Sequence, residues 1–136
     1  MNDRYLYRAK RADNGEWIIG NLVYSEDASI GYEYMIMPTQ IIGNWSTVLK
    51  DTICQCTELK DKNGKLIWEN DICRRVLLPT KRIKANFKIA YVPYKCCISA
   101  IDLDGSNITF LSDYINNQYE VEVIGNIFDN QELLEK

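Results

Sequence analysis

Hydrophobic and polar residues alternate along several short segments of the chain, which is the pattern of β-strands with one buried face. Residues 119–123 alternate strictly, so that Glu120 and Glu122 lie opposite three apolar side chains. A second stripe places Lys88 opposite the apolar side chains of Phe87, Ile89 and Tyr91. Both segments predict half-buried strands.

Turn dipeptides separate the apolar segments at three points: Asn14-Gly15, Asn63-Gly64 and Asp104-Gly105. Glycine readily adopts the positive φ that tight hairpin turns require, and Asn or Asp tolerates it better than most residues. The chain is therefore expected to contain three hairpins. Gly125 interrupts the alternation that precedes it, which indicates a β-bulge or a close approach of two backbones.

Only the C-terminus has the pattern of a helix. Asp129 and Asn130 offer a cap, Glu132 places an acid in the first turn, and two leucines follow. Such a short helix is stable only when it docks against other structure. The predicted fold class is therefore mainly β, of the α+β type, with antiparallel hairpins and a short C-terminal helix.

Length and composition favour one ordinary domain over residues 1–136, because 46% of the residues are apolar or aromatic and can fill a core. No run approaches the roughly 18 apolar residues of a membrane span. The N-terminus lacks the basic-then-apolar layout of a secretory signal. We therefore expect a cytoplasmic protein that does not contact a membrane.

The sequence contains no histidine, which removes the commonest general base and the Ser-His and Cys-His nucleophile pairs. Its odd number of cysteines argues against a disulfide framework, and their spacing is not that of a zinc site. Cys73, beside Arg74, is either a reactive thiol or, like other free cysteines, a small core residue. We expect no enzymatic activity, no catalytic residue, no cofactor and no metal. The five cysteines are Cys54, Cys56, Cys73, Cys96 and Cys97.

The net charge is only −3, but the charges are distributed unevenly. Residues 102–135 include eight acids and no base. One interpretation of the basic segment before them is an exposed surface that binds nucleic acid or an acidic partner. The other is internal pairing, in which the strand of Lys88 lies beside the strand of Glu120 and Glu122. The basic residues, with no acid among them, are Arg74, Arg75, Lys81, Arg82, Lys84, Lys88 and Lys95.

Three segments form a signature when they are taken in order. Residues 55–72 read QCTELKDKNGKLIWENDI, residues 122–134 read EVIGNIFDNQELL, and residues 7–17 form a looser third element. Together they resemble the YopX family of phage and prophage proteins over most of the chain. Glu58 and Asn70 stand where that family usually has glycine, which bears on the local turn and bulge geometry.

The resemblance implies a mostly β fold with a small barrel-like body, an origin in mobile elements and no catalytic residues. An N-terminal hairpin lobe at residues 1–58 and a barrel-like lobe at residues 59–136 are the alternative to one undivided domain. Several signature residues are expected to be structural, in turns or as core anchors. They are Asp61, Asn63, Gly64, Trp68, Asp71, Gly125 and Asn126.

The expected function is that of a non-enzymatic phage or prophage accessory protein that binds another macromolecule, chiefly a protein. Nucleic-acid binding through the basic residues of segment 74–95 is one alternative. The second is self-association into a homo-oligomer, in which the basic segment of one copy contacts the acidic segment of another.

Overall fold

A computed structural model describes residues 3–26, 33–38, 45–116 and 118–135. The chain divides into two compact units, Met1–Cys56 and Thr57–Lys136. Both interpretations of the sequence, one domain or two lobes divided after residue 58, stay predictions.

The first unit is built on short antiparallel strands. They are β1 (Tyr7–Lys10), β2 (Trp17–Ser25), β3 (Glu33–Pro38), β4 (Ser46–Thr47) and the start of β5 (Cys54–Lys60), with 3-10 helices at Asp3–Tyr5 and Lys50–Thr52. The strand order is β4-β3-β2-β1, and the first residues of β5 pair with β1. The predicted Asn14-Gly15 turn joins β1 to β2, with Gly15 at a φ of 73°. Ala9, Ile36 and Val48 form the core of this unit.

The second unit contains a five-stranded path with the order β11-β10-β9-β7-β12, and β8 pairs with β7 beside it. Its strands are β6 (Leu66–Trp68), β7 (Asp71–Leu77), β8 (Arg82–Ile83), β9 (Phe87–Val92), β10 (Cys97–Asp102), β11 (Ile108–Phe110) and β12 (Tyr119–Asn126). Its 3-10 helices lie at Pro93–Lys95, Leu111–Asp113 and Gln131–Leu134. The other two predicted turns join β5 to β6 and β10 to β11, and both of their glycines have positive φ.

The core of the second unit lies against one face of this sheet. Phe87 and Ile89 of β9 are fully buried, and Cys73 of β7 and Val121 of β12 belong to the same apolar cluster. Tyr91, predicted to continue the stripe, is half exposed. It lies near the end of β9, beyond the residues that pair with β7. The alternating pattern therefore predicts the face of Tyr91 but not its burial.

The prediction of a mainly β fold with antiparallel hairpins is confirmed. Among the described strands neither sheet closes into a barrel, because β11 and β12 remain the outer strands of the second unit's path. The predicted C-terminal helix is a single 3-10 turn, Gln131–Leu134. The Asn130 carboxamide does not cap it and instead accepts a hydrogen bond from the backbone N–H of Asn126.

The phase break at Gly125 is a β-bulge, as predicted. The register between β7 and β12 shifts between Val123 and Gly125. A Cβ atom at Gly125 would lie 2.5 Å from Oδ1 of Asn130, so only glycine fits this close approach. Asn126 adds the turn that follows, since its Oδ1 accepts hydrogen bonds from the N–H groups of Phe128 and Asp129.

Candidate interaction surface

Three of the seven basic residues predicted as a binding surface lie beside acids: Arg74, Arg75 and Lys81. Lys81 Nζ lies 2.6 Å from Glu120 Oε1, and Arg74 Nη1 lies 4.0 Å from Glu122 Oε1. Lys62, in the turn between β5 and β6, lies within 4.0 Å of both glutamates. The outer face of β7 and β12 therefore carries mutually compensating charges, as the internal-pairing interpretation requires.

Lys88 takes no part in this pairing. The path places β9 on one side of β7 and β12 on the other, so that Lys88 lies opposite Ile72 and Ile101. The predicted adjacency between its strand and the strand of Glu120 and Glu122 is wrong. Alternation identifies a strand and its buried face, but it does not determine the order of strands in a sheet.

Arg75 is buried and does not belong to an exposed surface. Its side chain lies on the core face of β7, where Nη2 is 2.9 Å from Asp102 Oδ2 and the guanidinium stacks 4.0 Å from the ring centre of Tyr114. The Tyr114 hydroxyl donates a hydrogen bond of 2.8 Å to Asp102 Oδ1. Burial and this hydrogen bond raise the pKa of Tyr114 to about 12. Arg75 thus anchors a buried polar network.

The other four predicted residues do not share one face. Arg82, Lys84, Lys88 and Lys95 make no ion pair with any residue in the described ranges. Arg82 pairs with Leu77 and Lys88 with Ile72, which places these two cations on opposite faces of the sheet. Nucleic-acid binding through segment 74–95 therefore lacks a continuous basic face in the described structure.

Asp61 of the signature closes the outer edge of β12. Its Oδ2 accepts a hydrogen bond from the N–H of Val123, and its Oδ1 accepts from the N–H groups of Asn63 and Lys65. The N–H of Lys62 donates to the carbonyl of Val121. Burial opposes ionisation of Asp61, but the three N–H donors outweigh it and lower its pKa below the ordinary value of 3.8.

Other signature residues also make contacts within the fold. Asp71 is buried, and its Oδ2 accepts a hydrogen bond from the N–H of Trp68, which is itself buried. Gly64 lies in the hairpin turn with a φ of 79°. Glu58 and Asn70 retain the left-handed conformation that glycine favours, each with a φ of 71°. Both residues thus occupy a backbone conformation in which glycine is less strained.

At the opposite end of the path, β11 is an outer strand. The N–H of Asp102 donates to the carbonyl of Asn107, and hydrogen-bonded and non-bonded pairs alternate along an antiparallel ladder. The pair of Ala100 and Thr109 is therefore bonded. The N–H and C=O groups of Ile108 and Phe110 point away from β10. Among the described residues, the outward groups of β11 therefore have no backbone partner, whereas Asp61 and Lys62 bond to the outer edge of β12.

An apolar patch lies beside this open edge. Register places Ile108 opposite Ile101 on one face, and Phe110 follows two residues along β11. Ile108 is 43% exposed and Phe110 is 53% exposed. Lys95 Nζ lies 5.4 Å from the ring centre of Phe110. We call these four residues, Ile101, Ile108, Phe110 and Lys95, the β11 patch.

Of these residues, only Lys95 belongs to the binding surface predicted from the sequence. The signal for the others was present: the Asp104-Gly105 turn is followed by an alternating Ile-Thr-Phe segment. Such a segment after a hairpin turn predicts an amphipathic strand. Its position at the edge of the sheet does not follow from the sequence.

The cysteines do not form a reactive or metal-binding centre in the described structure. Cys54, Cys56 and Cys73 are buried and form no disulfide with a described residue, and Cys96 is exposed in the turn before β10. Cys73 is fully buried, and burial, together with the nearby carboxylates, raises the pKa of its thiol. Both features favour a core residue over a reactive thiol at this position. The described residues contain no group of three or more side chains placed to hold a metal ion.

A cleft of about 190 Å³ lies beside β12. Its polar lining includes Asp61, whose carboxylate is held by backbone N–H groups, and Tyr114, whose hydroxyl is bonded to Asp102. These groups therefore serve the fold. The open edge of β11 with its patch is the better candidate for a functional surface.

The fold and this edge define a mainly β protein in which β11, within the described residues, is an outer strand that bears partly exposed apolar side chains. No described helix has the length and apolar character needed to cross a membrane. The family model described as YopX protein matches residues 6–135. The chain belongs to the YopX family. No curated protein matches it.

Proposed function

We propose that this chain is a phage or prophage accessory protein that acts in the bacterial cytoplasm by binding another protein through the β11 patch, without catalysing a reaction. The observation that carries the proposal is the open edge of β11, which bears two half-exposed apolar side chains. Edge strands are usually protected by short length, charge, proline, a bulge or a cover. Among the described residues Asp61 covers part of the edge of β12, whereas no side chain bonds to the outward N–H and C=O groups of β11, a strand of three residues.

The composition of the patch supports a protein partner. Aromatic residues are enriched at protein–protein interfaces, and energetically dominant contacts cluster around them. Phe110 supplies such a ring, and Lys95 adds a positive charge beside it. The lack of histidine supports a binding role over acid–base catalysis.

Comparative capture tests this proposal. Tagged wild-type protein, the double variant Ile108→Ser/Phe110→Ser and the control Ile83→Ser are each expressed in a host that carries the prophage genes, and captured proteins are quantified by mass spectrometry. Ile83 is 67% exposed and lies on β8, outside the patch. Circular dichroism verifies that all three proteins are folded.

The expected result is a specific protein that the wild type and the control retain and that the double variant loses by at least about tenfold, the equivalent of about 1.4 kcal/mol. Equal capture by all three proteins, or no capture above background, refutes the proposal. Nucleic-acid binding and self-association stay predictions.

A further inference from the structure

We propose that the β11 patch binds an extended segment of the partner protein, which adds to β11 as a further strand and carries an acidic side chain beside its apolar ones. This inference rests on the proposed function and specifies the chemistry of the partner. It follows from the backbone of β11 and from the side chains around it.

The backbone of β11 fits the addition of a strand. Ile108 and Phe110 direct their N–H and C=O groups outward, as the alternation from the Asp102–Asn107 hydrogen bond requires. A segment lying alongside can donate to and accept from both residues, as in other complexes formed by adding a strand to an exposed sheet edge. Main-chain pairing requires an extended partner, and a helix does not satisfy these groups.

The side chains determine the chemistry of that segment. Ile108 and Phe110 lie on the same face, so partner residues spaced two apart contact both with apolar groups. Lys95 is next to Phe110 and makes no ion pair with a described residue. An acidic residue of the partner, next to its two apolar residues, therefore lies beside Lys95, whose charge no described acid compensates.

A second copy of the chain fits this patch less well. If two β11 strands pair with each other, the apolar residues match, but the patch of the second copy supplies another cation, Lys95, and no acid. The charge of each Lys95 then stays uncompensated by the patch of the other copy. A segment from another protein with an acid at this position compensates that charge.

The test uses the full chain and the synthetic peptide Glu-Thr-Val-Thr-Val-Thr-Glu, which presents Glu, Val, Val and Glu on one face in either strand direction. Controls are the same peptide with Lys in place of Glu and a version N-methylated on alternate amides. Binding is measured by calorimetry, and amide hydrogen exchange is followed residue by residue. Lys95→Gln is compared with Lys84→Gln, another lysine without an ion pair in the described ranges.

The proposal predicts that the acidic peptide slows exchange at Ile108 and Phe110 by at least about tenfold. We expect the Lys peptide to bind at least about tenfold more weakly, the N-methylated peptide to give no protection, and Lys95→Gln but not Lys84→Gln to remove the preference for Glu.

Equal affinity for the Glu and Lys peptides, protection elsewhere, or no protection overturns the proposal. So does light scattering that shows a dimer which the double variant Ile108→Ser/Phe110→Ser abolishes, since the occupant is then a second copy. If patch-dependent capture of a partner persists while the peptides fail, only the strand-addition mode is wrong. If that capture fails as well, the proposed function is also wrong.

Discussion

Replacing Asp61 by Asn tests how the signature holds the second unit together. The carboxylate accepts three backbone N–H groups, from Asn63, Lys65 and Val123, at 2.9 to 3.0 Å. An Asn oxygen can keep the two donors on Oδ1. The amide nitrogen then faces the N–H of Val123, so that a charge-assisted bond is lost and a partly buried donor loses its acceptor.

The expected cost follows from these losses. A hydrogen bond to a charged group contributes about 1.5–3 kcal/mol, and a buried unsatisfied donor costs about 1–3 kcal/mol. Because the two figures describe overlapping effects, we expect Asp61→Asn to lower the free energy of unfolding by about 2–4 kcal/mol. With a urea m-value of about 2 kcal/mol/M, the midpoint falls by about 1–2 M.

Equilibrium urea unfolding followed by circular dichroism measures this change at neutral pH. Asp113→Asn is the control, since Asp113 is exposed. Its carboxylate accepts a hydrogen bond from the Thr109 hydroxyl, and the amide oxygen of Asn can accept the same bond. That variant should stay within about 0.5 kcal/mol of the wild type. An Asp61→Asn midpoint equal to that of the control refutes the assigned role.

The dependence on pH gives a second check. The pKa of Asp61 is lower in the folded protein than its ordinary value of 3.8. Its contribution to stability is therefore complete above that ordinary value and is lost as the pH falls through the folded pKa. The stability difference between wild type and Asp61→Asn should shrink below about pH 4. A difference that stays constant down to acid unfolding contradicts the reasoning.

Three further predictions concern other parts of the molecule. Glu58→Gly should stabilise the protein by about 0.5–1 kcal/mol in thermal unfolding, because glycine relieves the left-handed backbone at this position; an unchanged or lower Tm contradicts this. Arg75→Met should destabilise by about 3–5 kcal/mol in urea, since it leaves Asp102 buried without its cation. Adding Asp102→Asn should restore part of that loss, and strict additivity of the two changes argues against the pair. Iodoacetamide should modify Cys96 in the native protein and Cys73 only after unfolding, as read by mass spectrometry; equal rates refute the burial argument.

Local features of the fold could be predicted because they depend on neighbouring residues. The Asn14-Gly15, Asn63-Gly64 and Asp104-Gly105 turns follow from the conformational range of glycine. The bulge at Gly125 follows from an interrupted alternation. In each case the physical cause lies within a few residues of its effect.

Features that depend on strand order could not be predicted. The pairing of β12 with β7 rather than β9 decides which cations meet Glu120 and Glu122. The same order places β11 at the edge and so creates the patch around Phe110. Arg75 was assigned to the surface because of its charge, although alternation along β7 places it on the core face with Cys73.

The C-terminal segment shows a different limit. Asn130 is a residue type that often caps helices. Its Oδ1 instead accepts a hydrogen bond from the N–H of Asn126, which follows the bulge. The Asn130 side chain is therefore not available to cap a helix, and the segment that follows is a single 3-10 turn. Propensity identifies which groups can cap a helix, and tertiary contacts decide which group they reach.

Within the described residues the two edges of the second unit's sheet differ: Asp61 closes the edge of β12, and the edge of β11 is open. Native-state hydrogen exchange of the free protein measures this contrast directly. The amide of Val123 should be strongly protected, whereas the amides of Ile108 and Phe110 should exchange close to the rate of unstructured chain. Protection of Ile108 and Phe110 equal to that of Val123 contradicts the open edge and the function built on it.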